Sequence, residues 1–159
     1  MTTQDLIAQL NFAHFVITVN YDGISEEMAN QEPKPSGNPF NRVLGHIIAT
    51  RMPLFRVFDL KHPWNEKQAN VYNGPWDNAD KSQALSFDDL KRLENETFDQ
   101  LKSAVENFSG DWDAHYPESK PERPQTYGQR VTFFLLHECY HAGQLASIRR
   151  SLGLPGMLK

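Results

Sequence analysis

At 159 residues and 18.3 kDa the chain has the length of one domain, here expected to span 1–159, with 39% hydrophobic and 23% charged residues and a formal net charge of −4. No run approaches the ~20 apolar residues of a membrane span, and no basic stripe offers a nucleic-acid surface. The single cysteine, Cys139, excludes an intrachain disulfide and an all-cysteine zinc site, and MTTQDLIAQL lacks a basic region ahead of an apolar one, so the expected location is cytoplasmic.

Glycine and proline cluster at Pro33–Pro39, Pro63–Pro75, Pro117–Gly128 and Gly153–Gly156. The long segments between them predict four helices. The first runs from about Thr3 to Met28. Leu6, Leu10, Ala13, Ile17, Tyr21, Ile24 and Met28 fall on one helical stripe, and Gly23 weakens the helix without ending it. The second runs from about Pro39 to Leu60, with Pro39 in the first turn and a kink at Pro53. The third runs from about Phe87 to Phe108, capped by Ser86 with Asp89, and its buried stripe is Leu90, Leu93, Thr97, Phe98, Leu101, Val105 and Phe108. The fourth runs from about Tyr127 to Leu152. Arg149 and Arg150 suit the negative end of its dipole, and Gly153 supplies a left-handed residue after it.

Strand signals are poor throughout. Four amphipathic helices without a sheet must bury their stripes on one another, so the predicted fold is an all-α four-helix bundle. The 25 residues from Lys61 to Leu85 form a long connection. One that crosses the bundle leaves helices two and three parallel, in an up-down-down-up order. Trp64, Trp76 and Trp112 fall in connections and are expected to pack them onto the bundle.

The strongest chemical signal is His137-Glu138-Cys139-Tyr140-His141. Histidines at i and i+4 sit ~40° apart on a helix, one turn displaced, so both rings can reach one ion. Phe134, Leu145, Ile148 and Leu152 share their stripe, which turns the pair inward. Three other readings fit parts of the motif. Two hydrogen-bonded core histidines would explain the pair alone. A His-Glu-x-x-His peptidase would need a downstream third ligand, yet no Asp, Glu or His follows His141. A di-metal carboxylate bundle would need a second Glu-x-x-His, which is absent.

A third ligand must therefore come from upstream. His62 and His115 lie in connections and read as exposed, and His14 reads as a satisfied flank histidine of helix one. His46 lies in VLGHIIA, ~10 Å from the start of helix two, while His141 is ~16 Å before the end of helix four. Antiparallel helices would bring them to similar depth within about a turn.

These residues resemble a known family. NPFNRVLGHIIAT followed by HECYHAGQL is similar to the DinB-like (YfiT-like) superfamily. The resemblance implies a four-helix bundle with one metal held by three histidines, here His46, His137 and His141. Gly143, Gln144 and Leu145 match the tail of the second motif. Tyr140 and Ala142 depart from it, where many members carry histidine and arginine. Characterised relatives include thiol-dependent S-transferases and isomerases that use bacillithiol or mycothiol. The resemblance thus implies a thiolate attacking a small electrophile.

Three neutral imidazoles leave open positions on one divalent ion, with zinc and nickel the expected metals. The expected activity is a metal-dependent thiol S-transferase or hydrolase. The alternative is a stress-associated bundle that holds metal or ligand without turnover. Expected partners are a small electrophile and a low-molecular-weight thiol, not nucleic acid or membrane, with a homodimer as a further option. Lesser candidates surround the ligands. Gln144 could orient a bound molecule, or make an interhelical bond. Glu138 could accept from a ligand imidazole, or be an ordinary flank carboxylate. Tyr21 could line the pocket, but reads better as core. Cys139 reads as a small buried residue.

Overall fold

The computed structural model describes residues 1–33 and 36–158. Residues 34 and 35 of the predicted Pro33–Pro39 connection, and residue 159 of the predicted domain, lie outside it. The described chain is all-helical: α1 Thr3–Val19, α2 Glu26–Asn30, α3 Phe40–Thr50, α4 Met52–Val57, α5 Glu66–Asn73, α6 Phe87–Glu106 and α7 Tyr127–Ser151, with short 3₁₀ turns at Trp76–Asn78 and Lys81–Gln83.

Helix starts follow their caps. The Thr2, Ser86 and Thr126 side chains accept from backbone N–H groups in the first turns of α1, α6 and α7. The first predicted helix is too long. It stops at Val19, and Gly23 turns the chain with φ of 72° before α2 begins. The tertiary reason is Arg149, whose guanidinium takes the carbonyls of Asn20 and Asp22, groups a continuous helix would have used internally. At the kink, α3 ends at Thr50 and α4 restarts with Pro53 in its first turn. The predicted connection 61–85 contains a helix of its own, α5, opened by a reciprocal Asn65–Gln68 cap. The expectations for histidines and tryptophans in the connections divide. Trp64, Trp76 and Trp112 are buried and pack their connections down, whereas His62, expected exposed, is buried as well.

Packing pairs α1 with α6 and α7, and α3 with α5, α6 and α7. Contacts along these pairs show their directions. Asn41 bonds to Leu85 just before α6, and Arg51 bonds to Glu94 and Thr97 further along it. Contacts between α3 and α7 run the other way: His46 meets His141, whereas Arg51 meets Glu138.

The core has two apolar clusters. One gathers Phe40, Leu44, Ile47, Tyr72, Phe87 and Leu145; the other gathers Leu6, Phe55, Phe98, Trp112, Val131 and Leu135. Between them lies a polar layer of His14 from α1, Arg51 from the α3–α4 junction, Glu94 and Thr97 from α6 and Glu138 from α7. Phe12, Phe15, Phe133, Leu136 and Tyr140 are exposed on α1 and α7.

Candidate metal centre

His46 from α3 meets His137 and His141 from α7 beside the polar layer. Each offers a ring nitrogen, and these nitrogens lie within 4.8 Å of one another. The i,i+4 spacing stacks the two α7 rings one turn apart, with centroids 4.4 Å from each other. The His46 ring lies 4.6 Å from that of His141 and 5.5 Å from that of His137.

The neighbours of the rings set their tautomers. His46 Nδ1 donates to the Tyr72 carbonyl at 3.1 Å. A carbonyl only accepts, so Nε2 of His46 keeps its lone pair for the cluster. His141 Nδ1 donates to Gln144 Oε1 at 2.8 Å, with the same consequence. His141 Nε2 then stands 3.1 Å from His137 Nε2. Two nitrogens each ~2.0–2.1 Å from a shared ion lie ~2.8–3.4 Å apart across octahedral and tetrahedral geometry. The observed spacing falls in that range. His137 Nδ1 is buried without a hydrogen-bond partner.

Burial disfavours the charged form of all three rings. It holds His46 down to about 4, helped by Arg42 and the other two histidines. His137 is lowered by burial, and His141 by burial together with His137 and Arg42. At pH 7 the cluster is therefore neutral, the form that binds a cation. Three neutral imidazoles, two with oriented lone pairs, form a donor set able to hold one divalent ion and leave coordination positions open.

Some of the flanking residues take the expected places and others do not. Glu138 accepts nothing from a ligand imidazole. Arg51 Nε and Nη2 donate to its two oxygens at 2.9 Å each. The carboxylate points into the core because it sits ~100° around the helix from His137. The orienting acceptor is instead Gln144, which bonds within its own helix. Tyr21 packs edge-on against Phe40 and Phe87 and is not part of the histidine cluster. Cys139, expected to be buried, is exposed. His14 stacks on Phe98 and donates to Glu94 at 3.0 Å, a satisfied flank histidine. His115 is exposed.

Two arginines carry more than their sequence positions suggest. Arg51 is fully buried and bonds to Glu94, Thr97 and Glu138. Burial opposes its charge, but the two carboxylates outweigh burial and raise its proton affinity. A signal for it existed in Glu94, which falls on the apolar stripe of the third predicted helix. Arg42 lies one turn before His46, and that spacing was its only signal. Two cavities open beside the cluster. One of about 410 Å³ is bounded by His46, Thr50, Asn73 and Phe134; another of about 520 Å³ is bounded by Asn38, Val43, Tyr140, Gly143 and Gln144.

No helix among the described residues is long and apolar enough to cross a membrane. The fold is similar to the crystal structure of a conserved protein from Enterococcus faecalis, with a TM-score of 0.74. The two sequences are 16% identical, and the alignment covers 96% of this chain and 98% of that one. No curated protein matches the sequence. The family pattern described as the DinB superfamily matches residues 20–145, well over half of the chain. The chain belongs to the DinB superfamily.

Proposed function

We propose that this chain is a metal-dependent enzyme that transfers a low-molecular-weight thiol to a small electrophile. The observation carrying the reading is the donor set: His46, His137 and His141 aim neutral ring nitrogens at one point. They would hold one divalent ion, zinc or nickel. Such an ion supplies the Lewis acidity that keeps a thiol or a water deprotonated near neutral pH. The protein's own part is positional. The Tyr72 carbonyl and the Gln144 amide hold two rings in register. The surrounding helices exclude bulk water from one side, and the cavities leave the other side open to small molecules.

Thiol transfer is favoured over hydrolysis by the state of Glu138. A hydrolase gains from a general base within reach of its water. Both oxygens of Glu138 are taken by Arg51, so it is not free for that work. The same lack of a free carboxylate supports the second reading, a non-catalytic bundle that binds metal or ligand.

Around this site we read one domain spanning 1–159. Its four main segments, α1, α3–α4, α6 and α7, form an up-down-down-up bundle with 61–85 as the crossover. We place its work in the cytoplasm, without nucleic acid or membrane as partner.

Metal analysis of the purified protein, followed by a thiol panel with 1-chloro-2,4-dinitrobenzene, tests the proposal. About one zinc or nickel per chain and a conjugation rate lost in His137→Ala are expected. Metal without turnover across the panel would select the non-catalytic reading, and a chain that binds neither ion would overturn both.

A further inference from the structure

The outer faces of α1 and α7 carry apolar rings where a solvated helix carries charge. Phe12 and Phe15 on α1 are 60% and 51% exposed, and Phe133, Leu136 and Tyr140 on α7 are 49%, 64% and 65% exposed. Spacings of three and four residues put each set on one face of its helix. Around them charge is missing. No exposed residue of α7 from Gln129 to Ser147 is charged, and Asp5, in the first turn, is the one Asp, Glu, Lys or Arg of α1. The outer face of α6 shows the ordinary alternative, with Asp88, Arg92, Glu96, Asp99 and Glu106 all exposed.

The two helices form one surface. They pack side by side in the same direction: Met1 Sδ lies 3.3 Å from Thr132 Oγ1 near their starts, and Arg149 bonds to the Asn20 carbonyl near their ends. At ~1.5 Å per residue this sets Phe12 within about a turn of the level of Tyr140. The five side chains present roughly 600 Å² of apolar surface. That is the upper end of what a monomer leaves to water. With the small exposed neighbours Ala8, Cys139 and Gly143 it approaches the ~800 Å² that each partner contributes to a stable interface. Gly143 is an independent sign. A glycine inside a helix is destabilising relative to alanine, yet a Cβ there would meet no atom of this chain within 4 Å. The chain's own packing does not require it, whereas a helix approaching from outside would use the room.

We infer that this face is a homodimer interface, in which α1 and α7 of one chain pack on α1 and α7 of a second copy about a two-fold axis. A second copy suits the face better than an unlike protein on two counts. Without charge, the face offers no electrostatic complement by which an unlike partner would be selected. It also carries its own complement, because the protruding rings of Phe12, Phe15 and Tyr140 share it with the notch at Gly143, as a contact between identical patches requires. Richness in aromatic side chains with depletion of charge is the composition of such interfaces. The dimer adds a second helical layer over stripes that a single chain leaves bare. Tyr140 and Gly143 also border the cavity of about 520 Å³, so the second copy stands at its rim.

Sedimentation equilibrium of the full chain from about 1 to about 100 µM, with and without zinc, tests this. In both conditions the wild type should reach twice the 18.3 kDa chain mass. Phe12→Glu and Leu136→Glu each place a charge within the contact and should weaken association about a hundredfold or more, with far-UV circular dichroism unchanged. Gln100→Glu, on the outer face of α6, should remain dimeric. Cys139, the single thiol, is exposed beside Tyr140 and gives a readout that needs no substitution. Its alkylation by excess maleimide should slow as wild-type protein is concentrated through the association range. A wild type that stays at 18.3 kDa throughout overturns the inference, whether the face then meets an unlike protein or none. A dimer that both Glu variants leave intact, with Cys139 alkylated equally fast at every concentration, places the contact elsewhere and overturns it as well.

Discussion

Arg51 shows how a single residue can be tolerated in a core only through its partners. Five hydrogen bonds of 2.7–2.9 Å tie it to Glu94, Thr97 and Glu138. Arg51→Met should leave two buried carboxylates uncompensated and destabilise the protein by about 3–5 kcal/mol in urea denaturation. Converting Glu94 and Glu138 to Leu in the same chain should recover most of the loss, because replacing a whole buried ionic cluster by apolar groups is often neutral. A triple variant no more stable than Arg51→Met would contradict this account. His62 carries a second residue-level prediction. Its Nε2 donates to the Ile48 carbonyl, and its Nδ1 accepts from the Trp64 N–H at 3.0 Å. That arrangement needs the neutral ring, and burial holds its proton affinity down to about 4. The unfolded chain takes up this proton first, near ~6.5. The stabilisation is therefore complete above that value and is lost as pH falls toward 4. The urea midpoint of metal-free protein should drop between pH 7 and 4.5, and less steeply in His62→Gln. Equal slopes for both proteins would refute the assignment.

At the scale of elements, α3 depends on a close approach to α5. A Cβ added at Gly45 would stand 2.2 Å from Cδ1 of Tyr72. Tyr72 cannot yield, being stacked between Trp64 and Trp76 with its hydroxyl accepting from the Leu85 N–H. Gly45→Ala should therefore cost about 1–3 kcal/mol or more. Because the Tyr72 carbonyl orients His46, zinc affinity should fall as well, by about 10–100-fold. Full stability with unchanged zinc affinity, read by denaturation and calorimetry, would show that the contact is not limiting. The elements that sequence alone located well are those whose starts are local events. Ser86 and Thr126 cap α6 and α7 with their own side chains, and the apolar spacing that follows is regular. The errors arose where distant residues decided. Helix one ends earlier than its apolar spacing predicts because Arg149, 129 residues from Asn20 in the chain, captures the carbonyls just beyond Val19. Helix α5 sits inside the predicted connection because Gly and Pro flank it, although its Asn65–Gln68 cap is legible in the sequence. For the candidate site, the i,i+4 spacing located His137 and His141, and helical depth brought in His46. The sequence does not single out Arg42 and Arg51, since a charge near a kink or a helix start ordinarily faces water. Glu138, read as a flank carboxylate or as an acceptor for a ligand imidazole, is instead buried on Arg51, a partner on another element that its own spacing does not reveal.

On the scale of the whole molecule, two apolar clusters enclose the polar layer from both ends. This burial does not depend on a metal, unlike the small folds that zinc holds together. The histidine cluster lies at the edge of the layer, where neutral rings are set close by helices that already pack on one another. The metal-free protein is therefore expected to fold, and an ion at the cluster adds to its stability. At about 100 times the dissociation constant the gain is about 2.7 kcal/mol. For a chain of this size it corresponds to a rise of roughly 5–10 °C in melting temperature. The most direct test is the thermal melt of metal-stripped protein with and without saturating Zn²⁺, at pH 7.5 and 5.5, for the wild type and His141→Ala. A rise is expected at pH 7.5 that shrinks at pH 5.5, where protons compete for the imidazoles, and that is absent in His141→Ala. A melting temperature unmoved by zinc, or a rise of equal size in His141→Ala, would contradict a metal centre at His46, His137 and His141.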